Sequence, residues 1–338
     1  MTAYIVRRLF TGIIMLVVMS VVTFVLFFSS PVNPEDFACG KNCSVAQKEQ
    51  TRKALGYADP VTVQWVNFAK GFFAGRDFPD DEELRKAAPE QVVHCSAPCL
   101  GYSQSTNATV TSKIKDAWPI SVSLALAAFI MWMVGGILFG VIAALRRGTI
   151  IDRGIVAFSL VFYAFPTFFI GLFLYRFLAI KWEIFKIPEY TSIADGGVFM
   201  WLSGLILPGF TLALVYMAGY VRMTRAFVLE SMGEDYLRTA KAKGLAPRKV
   251  LVKHSMRAAL TPLVTMAGLD LAGLLGGAII TERVFNYPGL GLLAVVAVRD
   301  YDLPLVVGIV LVLAAVVIFA NLIVDLLYAV IDPRVRVG

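Results

Sequence analysis

Six long apolar runs decide what this chain can fold into. They lie near Leu9–Phe28, Ile120–Leu145, Gly154–Ile180, Met200–Val221, Leu263–Thr281 and Leu305–Ile331. Each reaches the roughly 17–25 residues that a helix needs to cross the hydrocarbon. Composition agrees, with 58% of the 338 residues hydrophobic and only 16% charged. Soluble domains carry about 25% charge, and disordered chains cannot be this apolar. Alternating strand patterns are absent, which argues against a membrane barrel. The expected fold class is an all-α membrane protein with six transmembrane helices and a large extracytoplasmic loop.

Charge sets the orientation. With the N-terminus inside, the inner segments hold Arg7, Arg8, Arg146, Arg147, Arg153, nine Lys/Arg between Arg222 and Arg257, Arg334 and Arg336. Facing them are Asp152, Glu230, Glu234, Asp235 and Asp332. The outer segments carry slightly more acids than bases. This bias predicts a multi-pass protein of the cytoplasmic (inner) membrane with both termini cytoplasmic. The net charge of +7 thus reflects topology. The partner beside those cations is membrane lipid, and no nucleic acid is invoked. Arg7-Arg8 before an apolar core also fits a secretory signal. The length of the run and the poor cleavage site at Ser29-Ser30-Pro31 favour a retained anchor.

The loop from Ser29 to Pro119 holds all four cysteines: Cys39, Cys43, Cys95 and Cys99. An external location favours disulfides, while Zn²⁺ binding beside His94 and free thiols stay open. Four cysteines allow three pairings. Loop-closure entropy favours at least one bridge of about 55 residues between the two pairs, at roughly 4 against 2 kcal/mol for a C-x-x-x-C bridge. Ser44-Val45-Ala46-Gln47 reads as a capping box, and Gly56 as a helix stop after Leu55. Trp65, Phe68, Phe72 and Phe73 then recur at near-helical spacing, which predicts a packed face. Asp80-Asp81-Glu82-Glu83 reads as a solvated charge run, and Asn107-Ala108-Thr109 as a chance glycosylation pattern.

Between the fourth and fifth runs lies Arg222–Thr261. Its centre is Asp235, Tyr236, Leu237, Arg238, Thr239, Ala240, Lys241, Ala242, Lys243, Gly244 and Leu245. The acid comes early, the cations late, and Gly244 stops the helix. Pro247 starts a second helix that carries Arg248, Lys249, Lys253, His254 and Arg257. Physics alone divides evenly between a docking elbow and a basic loop that only fixes topology.

At this segment the chain resembles the permeases of ABC importers, in the dipeptide/oligopeptide branch. Their coupling motif has Glu-Ala-Ala with Gly six residues after the Glu. Here Arg238-Thr239-Ala240 precedes Gly244, so the second Ala and the Gly are kept and the Glu is not. Arg222-Met223-Thr224-Arg225 and His254-Ser255-Met256-Arg257 flank it as in the branch. Further matches are Gly276-Gly277, Thr281-Glu282, Phe285, Pro288-Gly289-Leu290-Gly291, Asp325-Leu326-Leu327-Tyr328 and Asp332-Pro333-Arg334. Leu55-Gly56, Asp59-Pro60, Gln64 and Ala144-Leu145-Arg146-Arg147-Gly148 also fit. The branch runs Gly-Asp-Leu-Gly-x-Ser without interruption. Here Gly75-Arg76-Asp77-Phe78 and Gly101-Tyr102-Ser103 are separated by an insertion, either a partner contact or a tolerated loop.

The resemblance implies the type I permease fold and this division: 1–29, the N-terminal transmembrane helix; 30–117, the extracytoplasmic region with its insertion near 79–100; 118–331, the ABC type-1 transmembrane core with coupling segment 222–261; 332–338, a cytoplasmic tail. It also implies a second homologous permease, two cytosolic ATPase domains and an extracytoplasmic substrate-binding protein. Asp235, Tyr236, Arg238, Thr239, Ala240, Lys241, Ala242, Lys243, Gly244 and Leu245 would couple to an ATPase. Peptide is the implied cargo; nickel, glutathione and oligosaccharides travel through the same branch.

No phosphate-binding loop, zinc-protease helix or serine elbow occurs. The chain is therefore expected to be no enzyme and to hold no cofactor, with ATP and Mg²⁺ bound by partner subunits. Two acids fall in apolar runs. Asp270 sits mid-span, where an uncompensated charge is costly, so it belongs in the path or at a packed helix interface. Asp325, with Tyr328 one turn on, reads as a structural network near the membrane face. An ion-coupled secondary transporter would need an inverted repeat, which is not visible. A membrane scaffold or sensor is the other rival.

Overall fold

The computed structural model describes residues 2–28, 43–275 and 278–331. It divides into two compact units, Met1–Ile120 with Pro288–Ile318, and Ser121–Tyr287 with Phe319–Gly338.

The first unit opens with α1 (Thr2–Phe28). The capping box then works as its residues dictate in α2 (Val45–Ala54): the Ser44 side chain accepts from the Gln47 backbone, and the Gln47 side chain answers. Gly56 follows at φ +70°, the left-handed turn that releases the chain. In α3 (Val61–Ala74) the expected aromatic face is packed only in its first half, since Phe72 and Phe73 are exposed, Phe73 at 81%. The Trp65 indole donates to Ser20 Oγ at 3.0 Å, and Phe68 lies 5.0 Å from the Phe24 ring.

The insertion is a small folded hairpin. Strand β1 (Arg76–Phe78) pairs antiparallel with β2 (Val93–Cys95), setting Asp77 opposite His94. Between them Asp81 caps α4 (Glu82–Ala87), so the acidic run is partly a helix start. Asp80 is pinned by a two-pronged pair with Arg76. Burial is the larger influence on its carboxyl and raises it above the ordinary carboxylate range. Phe78 stacks on Tyr102 at 5.6 Å, so the two halves of the interrupted motif meet across the hairpin's base.

The cysteines correct one expectation. Cys95 bonds to Cys99, with Cα atoms 5.5 Å apart, and leaves neither free for Cys39 or Cys43. The hairpin explains why: it delivers Cys95 and Cys99 into one buried cluster with Phe78. A geometry imposed by folded neighbours overrides the entropy of the open chain. It also removes the thiolates a zinc site would need. Cys43 is likewise in a disulfide, and Cys39 lies outside the described residues. Non-reducing peptide mapping is expected to recover Cys95 and Cys99 in one cross-linked fragment; a bridge from either to the N-terminal pair would contradict this pairing.

Strands β3 (Tyr102–Ser103) and β4 (Ala108–Thr109) lead into α5 (Val110–Leu145). After Thr149, which caps it, comes α6 (Ile150–Ala164), then α7 (Thr167–Leu174) and a π-turn over Tyr175–Lys181. The expected third span is therefore not one straight helix but a pair bent by 104°. Pro166 has no N–H to donate and pushes Phe165 out of the helical region, to ψ 138°. Next is α8 (Ile193–Gly233), longer than its apolar run, and then α9 (Asp235–Ala242). A turn at Pro247–Lys249 and a π-stretch at Val250–Ser255 return the chain into α10 (Met256–Leu275). The fifth apolar run ends there rather than at Thr281, which belongs to the separate α11 (Ile279–Phe285). It is followed by α12 (Leu290–Arg299). Both are too short to cross hydrocarbon alone. Last comes α13 (Leu303–Ile331).

Four of these helices are long and apolar enough to span a membrane, or up to seven if each of three broken helix pairs is one span, among the described residues. The chain is an all-α multi-pass membrane protein.

Two buried carboxylates seat distant segments. Asp302 caps α13 through the Leu305 N–H at 3.2 Å and accepts from Ser103 and Ser105 at 2.5 and 2.6 Å. Glu282, 1% exposed, accepts from Ser121 at 2.7 Å.

Candidate functional site

The elbow at residues 234–255 is built by local chemistry. Lys243 closes α9, and Gly244 takes φ +74°. The Gly244 N–H donates to Lys241 O at 2.9 Å and the Leu245 N–H to Ala240 O at 3.3 Å. This pair of bonds is the Schellman end, in which glycine carries the left-handed residue. Leu245 folds back onto a buried cluster of Leu237, Ala240 and Val250. One face of α9 is thus consumed in holding the elbow together.

The other face is free of the protein. Asp235, Tyr236, Arg238, Thr239, Lys241, Ala242, Lys243 and Gly244 are all exposed, and Tyr236 shows 45% of its surface. Arg238 reaches Asp235 at 3.4 Å, but a pair this open is worth little. The acid at the start and Lys241 near the end complement the helix dipole. Where the elbow returns, Ser231 Oγ and Ser255 Oγ meet at 2.6 Å, both buried. The arrangement is a rigid, mostly cationic knob between two long apolar helices. It has the form of a docking element.

Asp270 is half-buried on α10. Its Oδ2 accepts from the Tyr220 hydroxyl of α8 at 2.6 Å. Tyr220 is itself buried against Trp132, whose ring stacks on Tyr216 at 4.6 Å. The bond from Tyr220 is the one hydrogen bond the Asp270 carboxylate makes among the described residues, and part of the side chain stays accessible. The side chains of Asp325 and Tyr328, and residues Gly276, Gly277 and Asp332-Pro333-Arg334, lie outside the described residues. Among the described residues no group of three His, Cys, Asp or Glu converges on a metal position; His94 instead pairs with Asp77 at 2.6 Å.

Sequence reasoning missed the ion pair of Asp152 with Arg225. Arg225 Nε donates to Asp152 Oδ1 at 2.7 Å, and a second guanidinium nitrogen to Oδ2 at 2.9 Å. Both residues read as topology charges, and nothing local reveals a partner 73 positions away.

The fold and the elbow together define a multi-pass helical membrane protein with a capped, exposed helix between two apolar ones. Residues 136–337 match the family described as binding-protein-dependent transport system inner membrane component. Residues 1–125 match its N-terminal companion. The chain belongs to this family. It is 33% identical over 336 residues to the probable peptide ABC transporter permease protein y4tP of Sinorhizobium fredii, covering 99% of this chain and 100% of that protein. It is 33% identical, with the same coverage, to the oligopeptide transport system permease protein AppB of Bacillus subtilis. The dipeptide transport system permease protein DppB of Escherichia coli is 31% identical, with 99% of each chain covered.

Proposed function

We propose that this chain is the permease subunit of an ATP-driven importer for peptides and lines half of a translocation path. The observation that carries the reading is α9: one face buried to make the elbow rigid, the other left exposed between two membrane helices. Peptide as cargo rests on the relatives, which are named for peptides over essentially their whole length.

In this reading both termini are cytoplasmic and the exposed face of α9 sits in a groove of a cytosolic ATPase. Two ATPase domains hold ATP and Mg²⁺, and a second homologous permease completes the path. An external substrate-binding protein delivers cargo. Closure of the ATPases pushes α9 and tilts α8 and α10, which open the path to one side and then the other. The push requires that the ATPase contact α9 differently in its two states; equal contact would shift nothing.

The test is uptake into liposomes holding the assembled complex, with its binding protein and ATP. Expected is ATP-dependent accumulation of short peptides. Accumulation only of Ni²⁺, glutathione or an oligosaccharide would overturn the cargo and keep the machine. Uptake without ATPases, driven by an ion gradient, would overturn the machine. No uptake of any of these would leave a scaffold or sensor.

Asp270 is the path candidate. Its free side suits the amino group of a peptide, while Tyr220 holds it in place. Asp270→Asn keeps the shape and the Tyr220 contact, and it is expected to lower uptake of amine-bearing cargo about ten-fold with assembly intact. Uptake unchanged across cargoes of different charge would make Asp270 an interface residue only.

A further inference from the structure

The contacts between α6 and α8 hold more than packing. Asp152 is 4% exposed at its side chain and its acceptors are filled. Beyond the two bonds from Arg225 it takes the Gly148 N–H at 2.9 Å. Its own N–H is held by the Thr149 cap at 3.4 Å. A two-pronged guanidinium–carboxylate pair fixes orientation as well as distance. One turn away on α8, Arg222 stands over the Tyr163 ring at 4.7 Å. Asp152 and Tyr163 lie at opposite ends of α6, about 16 Å apart along its axis. So α6 is gripped at both ends from one stretch of α8.

That stretch leads directly to the elbow. Ser231, less than two turns after Arg225, is the residue tied to Ser255 at the elbow's base. In the other direction α6 runs through Pro166 into α7. With Asp152 buried and Arg225 29% exposed, such an ion pair is a poor device for stability alone. Its particular property is an orientation that does not slip.

We propose that the Asp152–Arg225 pair is the joint that delivers motion of the elbow to α6 and α7, both residues being positioning residues for transport. The proposal rests on the coupling reading of α9. Without the joint, α8 would still be pushed, but α6 would no longer follow it as one body.

The test uses the full complex in liposomes and reads substrate imported per ATP hydrolysed, a ratio that stability alone does not move. Asp152→Asn and Arg225→Lys are expected to lower that ratio about ten-fold, within the span of ordinary coupling energies. ATPase subunits should co-purify as in wild type, and basal hydrolysis should stay within about two-fold. A ratio within about two-fold of wild type in both variants overturns the joint. Failure of both to assemble also overturns it, making the pair a folding element only, and loss of bound ATPases from an assembled permease assigns it to docking instead. Gly244→Pro separates the two readings. If it uncouples while the pair variants transport normally, only the joint is rejected; if all transport normally, the elbow reading falls as well.

Discussion

Replacing Gly244 with proline is expected to leave the chain in the membrane and cut ATP-driven uptake about ten-fold or more, because the elbow ends in a conformation proline cannot adopt. Gly244 holds φ +74°, whereas proline is locked on the opposite side of the map. The substitution also deletes the N–H that donates to Lys241 O. Together these changes cost roughly 2–3 kcal/mol at the cap. Leu245 would leave Leu237, Ala240 and Val250, and the exposed face of α9 would be re-aimed. Gly244→Asn is the control, since Asn tolerates the left-handed region better than other side chains; it should transport nearly as wild type. A Cβ at this position meets nothing within 4 Å, so any defect is conformational rather than steric. Asp235→Arg, which reverses charge at the start of α9, should uncouple more mildly. Readouts are ATPase co-purification, stimulated hydrolysis and uptake. Wild-type values of all three in Gly244→Pro would remove α9 from the coupling machinery.

The largest effect on stability is expected at Gly140. A Cβ there would sit 2.5 Å from the Thr224 Cβ and 2.8 Å from the Val221 carbonyl. At Gly136, on the same face of α5, it would sit 2.5 Å from the Tyr220 Cβ. Two glycines four apart let α5 and α8 approach with backbones nearly touching, the arrangement that holds membrane helices together where lipid competes for apolar contact. A backbone carbonyl cannot swing aside as a side chain can. Gly140→Leu should therefore cost roughly 3 kcal/mol or more and force the helices apart. It would also displace Tyr220 from Asp270. Gly154→Leu, where a Cβ meets nothing within 4 Å, is the matched control. In detergent the Gly140 variant should lose its monodisperse peak and melt well below wild type, with the control unchanged. Equal melting temperatures for both would mean that the close approach of α5 and α8 contributes nothing.

Much of the fold was legible because its signals are local. A helix across hydrocarbon must satisfy its backbone internally, so long apolar runs betray the spans. Capping works within three or four residues, so Ser44 with Gln47 and Gly244 after Ala242 announced their helix ends. The elbow was readable for the same reason: acid early, cations late, glycine last. The break at Pro166 was less so, since proline inside a membrane helix does not by itself decide between a kink and a sharp turn.

What the sequence alone determined is therefore the membrane class, the positions of four of the six apolar spans, and the capped, cation-rich helix of the elbow. Only the tertiary structure decided which side chains meet. Arg225 finds Asp152 across 73 positions, Ser121 finds Glu282 across 161, and Ser103 finds Asp302 across 199. It chose the partner of Cys95, since the fold buries Cys95 and Cys99 in one cluster with Phe78. It also gave Gly136 and Gly140 their meaning, because a missing side chain is informative only once another backbone lies against it. Propensity and capping act along the chain within a turn or two, whereas ion pairs, bridges and close packing are set by distances through space that no local pattern records.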